Sequence, residues 1–286
     1  MLRHVLVCLE PVAGNRACRA AALDLAKLSG CALTGLYVRA FAPVPVPVVY
    51  PMAGLVVGDP GMSAAALSEM DERVTQHEAR EDQRQDECTG ALLSAAREAG
   101  VRAGGMVRCG EVQHEIIAAA RGADLVMLGR SAERQDSLLG SVTGAIVRAV
   151  RRPVLIVPEW NAPLRKIAVA YDGSPGADRA LAMVADLALA RAGAPEIALI
   201  GITASADDTS TFLEPARRYL NASGLTHRVC TASGDPGSLI EALARAEDAG
   251  LLAMGAYGHS LVREALLGST TQKLLAAWNR PILLCH

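Results

Sequence analysis

Short apolar runs alternate along this chain with longer stretches of helical periodicity. In the C-terminal part, strands are predicted at about 166–171, 197–202, 226–231, 251–255 and 281–285, with helices at about 176–192, 210–222, 236–248 and 270–278. In the N-terminal part, strands are predicted at about 3–9, 32–38, 102–108, 124–129 and 153–157. Apolar strands separated by amphipathic helices build a parallel sheet covered on both faces. The predicted class is therefore α/β: two copies of an open five-stranded parallel sheet with helices on both faces. Ligands of such sheets bind beyond the carboxyl ends of the strands, at the switch point.

An internal repeat carries the two-copy reading. Arg152-Pro153-Val154-Leu155-Ile156-Val157 matches Arg280-Pro281-Ile282-Leu283-Leu284-Cys285, and Ala123 to Gly129 matches Ala249 to Gly255. His4 to Glu10 matches Lys166 to Asp172. The join falls near Pro158 to Pro163, which gives a first domain at 1–160 and a second at 164–286. The first copy carries an insertion at about 39–65, opening with Ala42-Pro43-Val44-Pro45-Val46-Pro47, a run that favours an extended path. It reads as a lid, a docking strip or an ordered packed loop. A charge-rich helix follows, roughly Met62 to Ala99, whose charges from Glu69 to Glu87 read as a solvated face.

The strongest candidate chemistry lies between Met254 and Leu275. Gly255 and Gly258 stand two residues apart; nine residues later come Gly268-Ser269-Thr270-Thr271. A strand, a glycine-bearing loop and a helix start suit an anion, because the first amides of a helix lack partners within it. The glycines would admit a ligand or adopt positive φ, and Ser269, Thr270 and Thr271 offer hydroxyls and N-cap candidates. A helix terminus contributes about 0.3–1 kcal/mol to a nearby charge, up to roughly 2. Micromolar binding needs about 8 kcal/mol. Several amides and a pocket must therefore converge, and Asp172-Gly173-Ser174, after the first strand of this copy, belongs at the same sheet edge. The plain alternative is that the glycines turn the chain, the hydroxyls cap a helix, and Asp172 forms a turn.

Composition narrows the functions. Of 286 residues, 51% are hydrophobic and 20% charged, which fits a well-cored globular protein. A net charge of -2 and 3% aromatics give no drive toward nucleic acid or an anionic membrane. No apolar run is long enough to span a bilayer, and the N-terminus reads as a strand, not a leader. The 7 cysteines form no C-x-x-C pair and read as reduced thiols of a cytoplasmic protein. Walker, dinucleotide, nucleophile-elbow and metal-ligand spacings are absent, so neither catalytic nor metal residues are assigned. Of the 6 histidines only His259 lies in the loop, where a surface role and a part in slow hydrolysis both stand.

With Asp172-Gly173-Ser174, the G-2x-G-9x-G-S loop and the strands after Arg152-Pro153 and Arg280-Pro281, nearly the whole chain resembles the universal stress protein family in tandem form. The resemblance implies a Rossmann-like fold of the adenine-nucleotide alpha-hydrolase type and binding of ATP, ADP or AMP, with Mg²⁺. It places Asp172 by the adenine and ribose, Ile202 against the base, and Met254 and Gly255 on base and ribose. Tyr257, Gly258, Gly268, Ser269, Thr270 and Thr271 would hold the phosphates. It also implies that the last strands, 153–157 and 281–285, pair within the chain; a homodimer stays open.

The first copy departs from this pattern. Glu10-Pro11-Val12 replaces Asp-Gly-Ser, the second loop glycine is missing, and seven residues separate Ala132 from Gly140. Weak or no nucleotide binding is expected there, with Arg130 or Arg134 able to compensate by charge. The expected role is a nucleotide-dependent regulatory module of stress response. A slow ATP hydrolase and a nucleotide-free scaffold are the alternatives.

Overall fold

The computed structural model describes residues 2–10, 14–39, 64–130, 141–161, 164–190, 194–203, 211–256 and 268–286. The first half contains β1 (His4–Leu9), α1 (Gly14–Ser29), β2 (Ala32–Arg39), α2 (Ala64–Glu98), β3 (Ala103–Cys109), α3 (Val112–Ala120), β4 (Leu125–Gly129), α4 (Ser141–Ala149) and β5 (Val154–Val157). The second contains β6 (Lys166–Ala170), α5 (Pro175–Leu189), β7 (Glu196–Thr203), α6 (Glu214–Ala222), β8 (His227–Ser233), α7 (Pro236–Ala246), β9 (Leu251–Gly255), α8 (Ser269–Ala277) and β10 (Ile282–Cys285).

The strands form a single sheet in the order β3-β2-β1-β4-β5-β10-β9-β6-β7-β8. The α/β class is as expected. The two five-stranded sheets are, however, one ten-stranded sheet. They meet where β10 runs antiparallel to β5, pairing Ile282 with Ile156 and Leu284 with Val154. All other ladders are parallel. Because the central ladder is antiparallel, the carboxyl ends of the strands face one way in the first half and the opposite way in the second. Each half reverses strand order once, between β1 and β4 and between β6 and β9.

Strand alternation sends side chains to two cores. Val5, Val7 and Leu9 join the cluster that includes Ala21, Leu25, Ala180 and Val184 of α1 and α5. Leu6 and Cys8 join the opposite cluster with Ile146 of α4, Ile240 of α7 and Leu274 of α8. The charged face expected on α2 is not wholly solvated. The Glu81 side chain is only 12% exposed, accepts from the Tyr37 hydroxyl at 3.1 Å and pairs with Arg84. The insertion between β2 and α2 lies outside the described residues, apart from Arg39 and the start of α2. Among the described residues no helix is long and apolar enough to cross a membrane.

Candidate functional site

The switch point of the second half lies between β6 and β9. Ala170 pairs with Met254 across this junction, so Asp172 and Gly255 emerge side by side. On the other flank Ala170 pairs with Ile200, and the Tyr171 amide donates to Ile200 O at 2.9 Å, which brings the end of β7 and Ile202 alongside. Met254 is buried, while Ile202 and Gly255 are half-buried at the rim. The α8 N-terminus is tied to the same edge: the Thr271 hydroxyl donates to Ala256 O at 2.9 Å. Asp172, Ile202, Met254, Gly255, Gly268, Ser269, Thr270 and Thr271 thus gather at one end of β6, β7 and β9. Tyr257, Gly258 and His259 lie outside the described residues.

The helices at this edge start differently. At α5 the Ser174 hydroxyl accepts from the Ala177 amide at 3.2 Å, and Pro175 occupies the first turn. At α7 Asp235 accepts from the Ser238 amide at 3.1 Å, again ahead of a proline. The α6 first turn holds Glu214 and Pro215, a negative charge and a residue without an amide hydrogen. The α8 N-cap is Gly268, with no side-chain cap. The sequence offered Ser269, Thr270 and Thr271 as caps; they are instead the first three helical residues. Their amides have no acceptor within the helix. Ser269 is exposed, Thr270 half-buried and Thr271 buried.

Of the two roles open to Gly255, the second is not taken up: it does not have positive φ. A Cβ there would lie 3.1 Å from Ala177 N and 3.2 Å from Ser174 Oγ. Its lack of a side chain lets the first turn of α5 press on β9. Gly176 answers from the helix side, where a Cβ would stand 2.8 Å from Cys285 O. Gly173, by contrast, has φ +78, which favours glycine. Asp172 is exposed and closes this turn, its Oδ1 accepting from the Ser174 amide at 2.9 Å.

Of the two arginines expected to aid the first-half loop, Arg134 lies outside the described residues, as does the loop itself, while the Arg130 guanidinium crosses to the second half. Nη1 donates to Leu275 O at 2.6 Å and to Trp278 O at 3.4 Å, at the far end of α8. Burial pulls its pKa down. A reciprocal contact joins His286 to Val147 O of α4. Leu275 and Val147 are each the seventh residue of their helix.

Sequence reasoning missed the Lys273–Asp235 ion pair, 2.9 Å long, between α8 and the α7 cap. The Lys273 ammonium, with Ser238, holds the exposed Asp235 carboxyl below its ordinary range. The Asp235-Pro236 pair is a readable helix-start signal; its partner, 38 residues on, is not. Among the described residues no group of three or more His, Cys, Asp or Glu is placed to hold a metal.

Comparison with known proteins accords with this architecture. The model of the universal stress protein family matches residues 1–158 and, a second time, residues 163–286. Universal stress protein Slr1230 of Synechocystis sp. is 28% identical over 163 residues, a match spanning 56% of this chain and 57% of that protein. The match therefore covers little more than half of the relative's length. A universal stress protein from Archaeoglobus fulgidus DSM 4304 has the same fold over 99% of this chain and 97% of its own, with a TM-score of 0.69 at 21% identity. A functionally unknown protein from Pseudomonas aeruginosa PAO1 does so over 99% and 92%, with a TM-score of 0.62 at 17% identity. With both halves matched by its model, the chain belongs to the universal stress protein family.

Proposed function

We propose that the second half binds ATP or a related adenine nucleotide and that the protein acts as a nucleotide-dependent regulatory module of stress response. The observation that carries this reading is the start of α8. At an edge where α5 and α7 close their first turns with their own side chains, α8 begins on Gly268 with no side-chain cap. Its amides and the exposed Ser269 hydroxyl are suited to phosphate oxygens. Asp172 and Ile202 flank the same opening from β6 and β7, as an adenosine moiety requires: a carboxylate for an amine or hydroxyl, an apolar side chain for the base.

In this reading Met254 and Gly255 form the floor, Tyr257, Gly258, Gly268, Ser269 and Thr270 meet the phosphates, and Thr271 contributes its amide while its hydroxyl holds Ala256. Mg²⁺ would be held mainly by the phosphates. The two halves, 1–160 and 164–286, act as domains paired within one chain, supported by the β5–β10 ladder. Seven free thiols support a cytoplasmic location. Titration calorimetry with ATP and Mg²⁺ tests the reading. Binding by the wild-type chain, abolished in a Gly258→Val, Ser269→Ala variant, is expected; no heat change, with no nucleotide released on denaturing fresh protein, overturns it.

A further inference from the structure

We propose that Arg130, supplied by the first half, is a positioning residue for the anion site of the second half. The inference rests on the nucleotide reading above and adds that the site is completed from across the seam. Helix α8 has nine residues. At about 1.5 Å per residue it is a rod of roughly 13 Å. Its N-terminal amides face the candidate phosphate site, and its C-terminal carbonyls receive the Arg130 fork at Leu275 and Trp278. Screening leaves little direct attraction between a cation and an anion that far apart. Arg130 therefore acts by fixing where the rod sits.

Three observations favour this over generic packing. Arg130 is half-buried and its Nη1 is engaged with two carbonyls, so it is committed to α8. The repeat is not symmetric here: the residue matching Arg130 in the second half is Ala256, whose carbonyl takes the Thr271 hydroxyl at the opposite end of α8. Both ends of α8 are thus pinned by the residue that follows a fourth strand, one from each half. On the corresponding helix α4 it is the His286 imidazole that meets the carbonyl at the matching position, Val147. The permanently charged cap goes to the helix of the half that keeps the full glycine loop. This gives the first half, whose own loop departs from the pattern, a defined task.

The test compares the wild-type chain with Arg130→Met and Arg130→Lys. Calorimetry with ATP and Mg²⁺ is combined with hydrogen exchange at the Gln272 amide, which bonds back to Gly268 O at 3.0 Å. For Arg130→Met we expect nucleotide binding weakened at least about fivefold, the low end of coupling between sites. Gln272 exchange should quicken while amides of β1 and β4 keep their rates. Arg130→Lys, which keeps the charge but not the fork, should fall between. Unchanged affinity, or unchanged Gln272 exchange, overturns the proposal even if the melting temperature drops. If the wild-type chain binds no nucleotide, the functional reading fails, and the Gln272 comparison still decides whether Arg130 positions α8. Should Arg130→Met not fold, Arg130→Lys carries both readouts.

Discussion

The Thr271 hydroxyl donates to the Ala256 carbonyl at 2.9 Å, both residues buried, and so fastens the first turn of α8 to the end of β9. Thr271 stands two residues from the exposed Ser269, yet the two carry different duties. Thr271→Val keeps the shape and strips the donor from a buried carbonyl. Urea unfolding of the ligand-free protein should show a loss of about 1–3 kcal/mol. Ser269→Ala should change ligand-free stability by no more than about 0.5 kcal/mol, as surface substitutions usually do, while weakening nucleotide binding.

The close approach of α5 to β9 and β10 makes a second prediction. At Gly176 an added Cβ would stand 2.8 Å from Cys285 O and 3.1 Å from Gly255 Cα, both backbone atoms that cannot turn aside. Gly176→Ala should cost about 1–3 kcal/mol through forced backbone shifts. Gly104→Ala in β3, where an added Cβ meets nothing within 4 Å, is the control and should cost nothing comparable. Thermal melts of the two variants check this.

His286 gives the pH prediction. Burial, with Arg179 and Arg151 nearby, lowers its imidazole pKa from the ordinary 6.5, and the Val147 carbonyl opposes the shift only in part. Between the folded and unfolded values the unfolded chain binds more protons, so stability rises with pH there. The contribution is complete above the unfolded pKa and is lost as pH falls through the folded one. On acidification from about pH 8 to about pH 5.5, across the unperturbed imidazole range, the wild-type urea midpoint should fall further than that of His286→Gln.

Much of the fold was legible because burial on both faces writes a strand as an apolar run. Leu251-Leu252-Ala253-Met254 and Ile282-Leu283-Leu284 could be placed on that ground, and the Arg-Pro repeat marked β5 and β10 as counterparts. The gathering of Asp172 and Gly255 follows from strand order alone, and Ile202 from the family resemblance. The cap of α8 was misjudged by one residue, because glycine, serine and threonine all suit an N-cap and the sequence holds them consecutively. The sequence leaves Gly255 free to take a positive φ, which it does not; the close approach of the α5 backbone to it is a contact that spacing does not encode. The contact of Arg130 with α8 could not be read: its acceptor lies 145 residues away, and no local periodicity encodes a contact across a seam.

The central claim is that nucleotide binds in the second half and not equally in the first. Photolabelling with 8-azido-ATP, followed by peptide mapping, tests it most directly. The account predicts label confined to peptides of residues 163–286, present once per chain and displaced by excess ATP. Label shared equally with peptides of residues 1–158, or label in the second half that excess ATP does not displace, would contradict it.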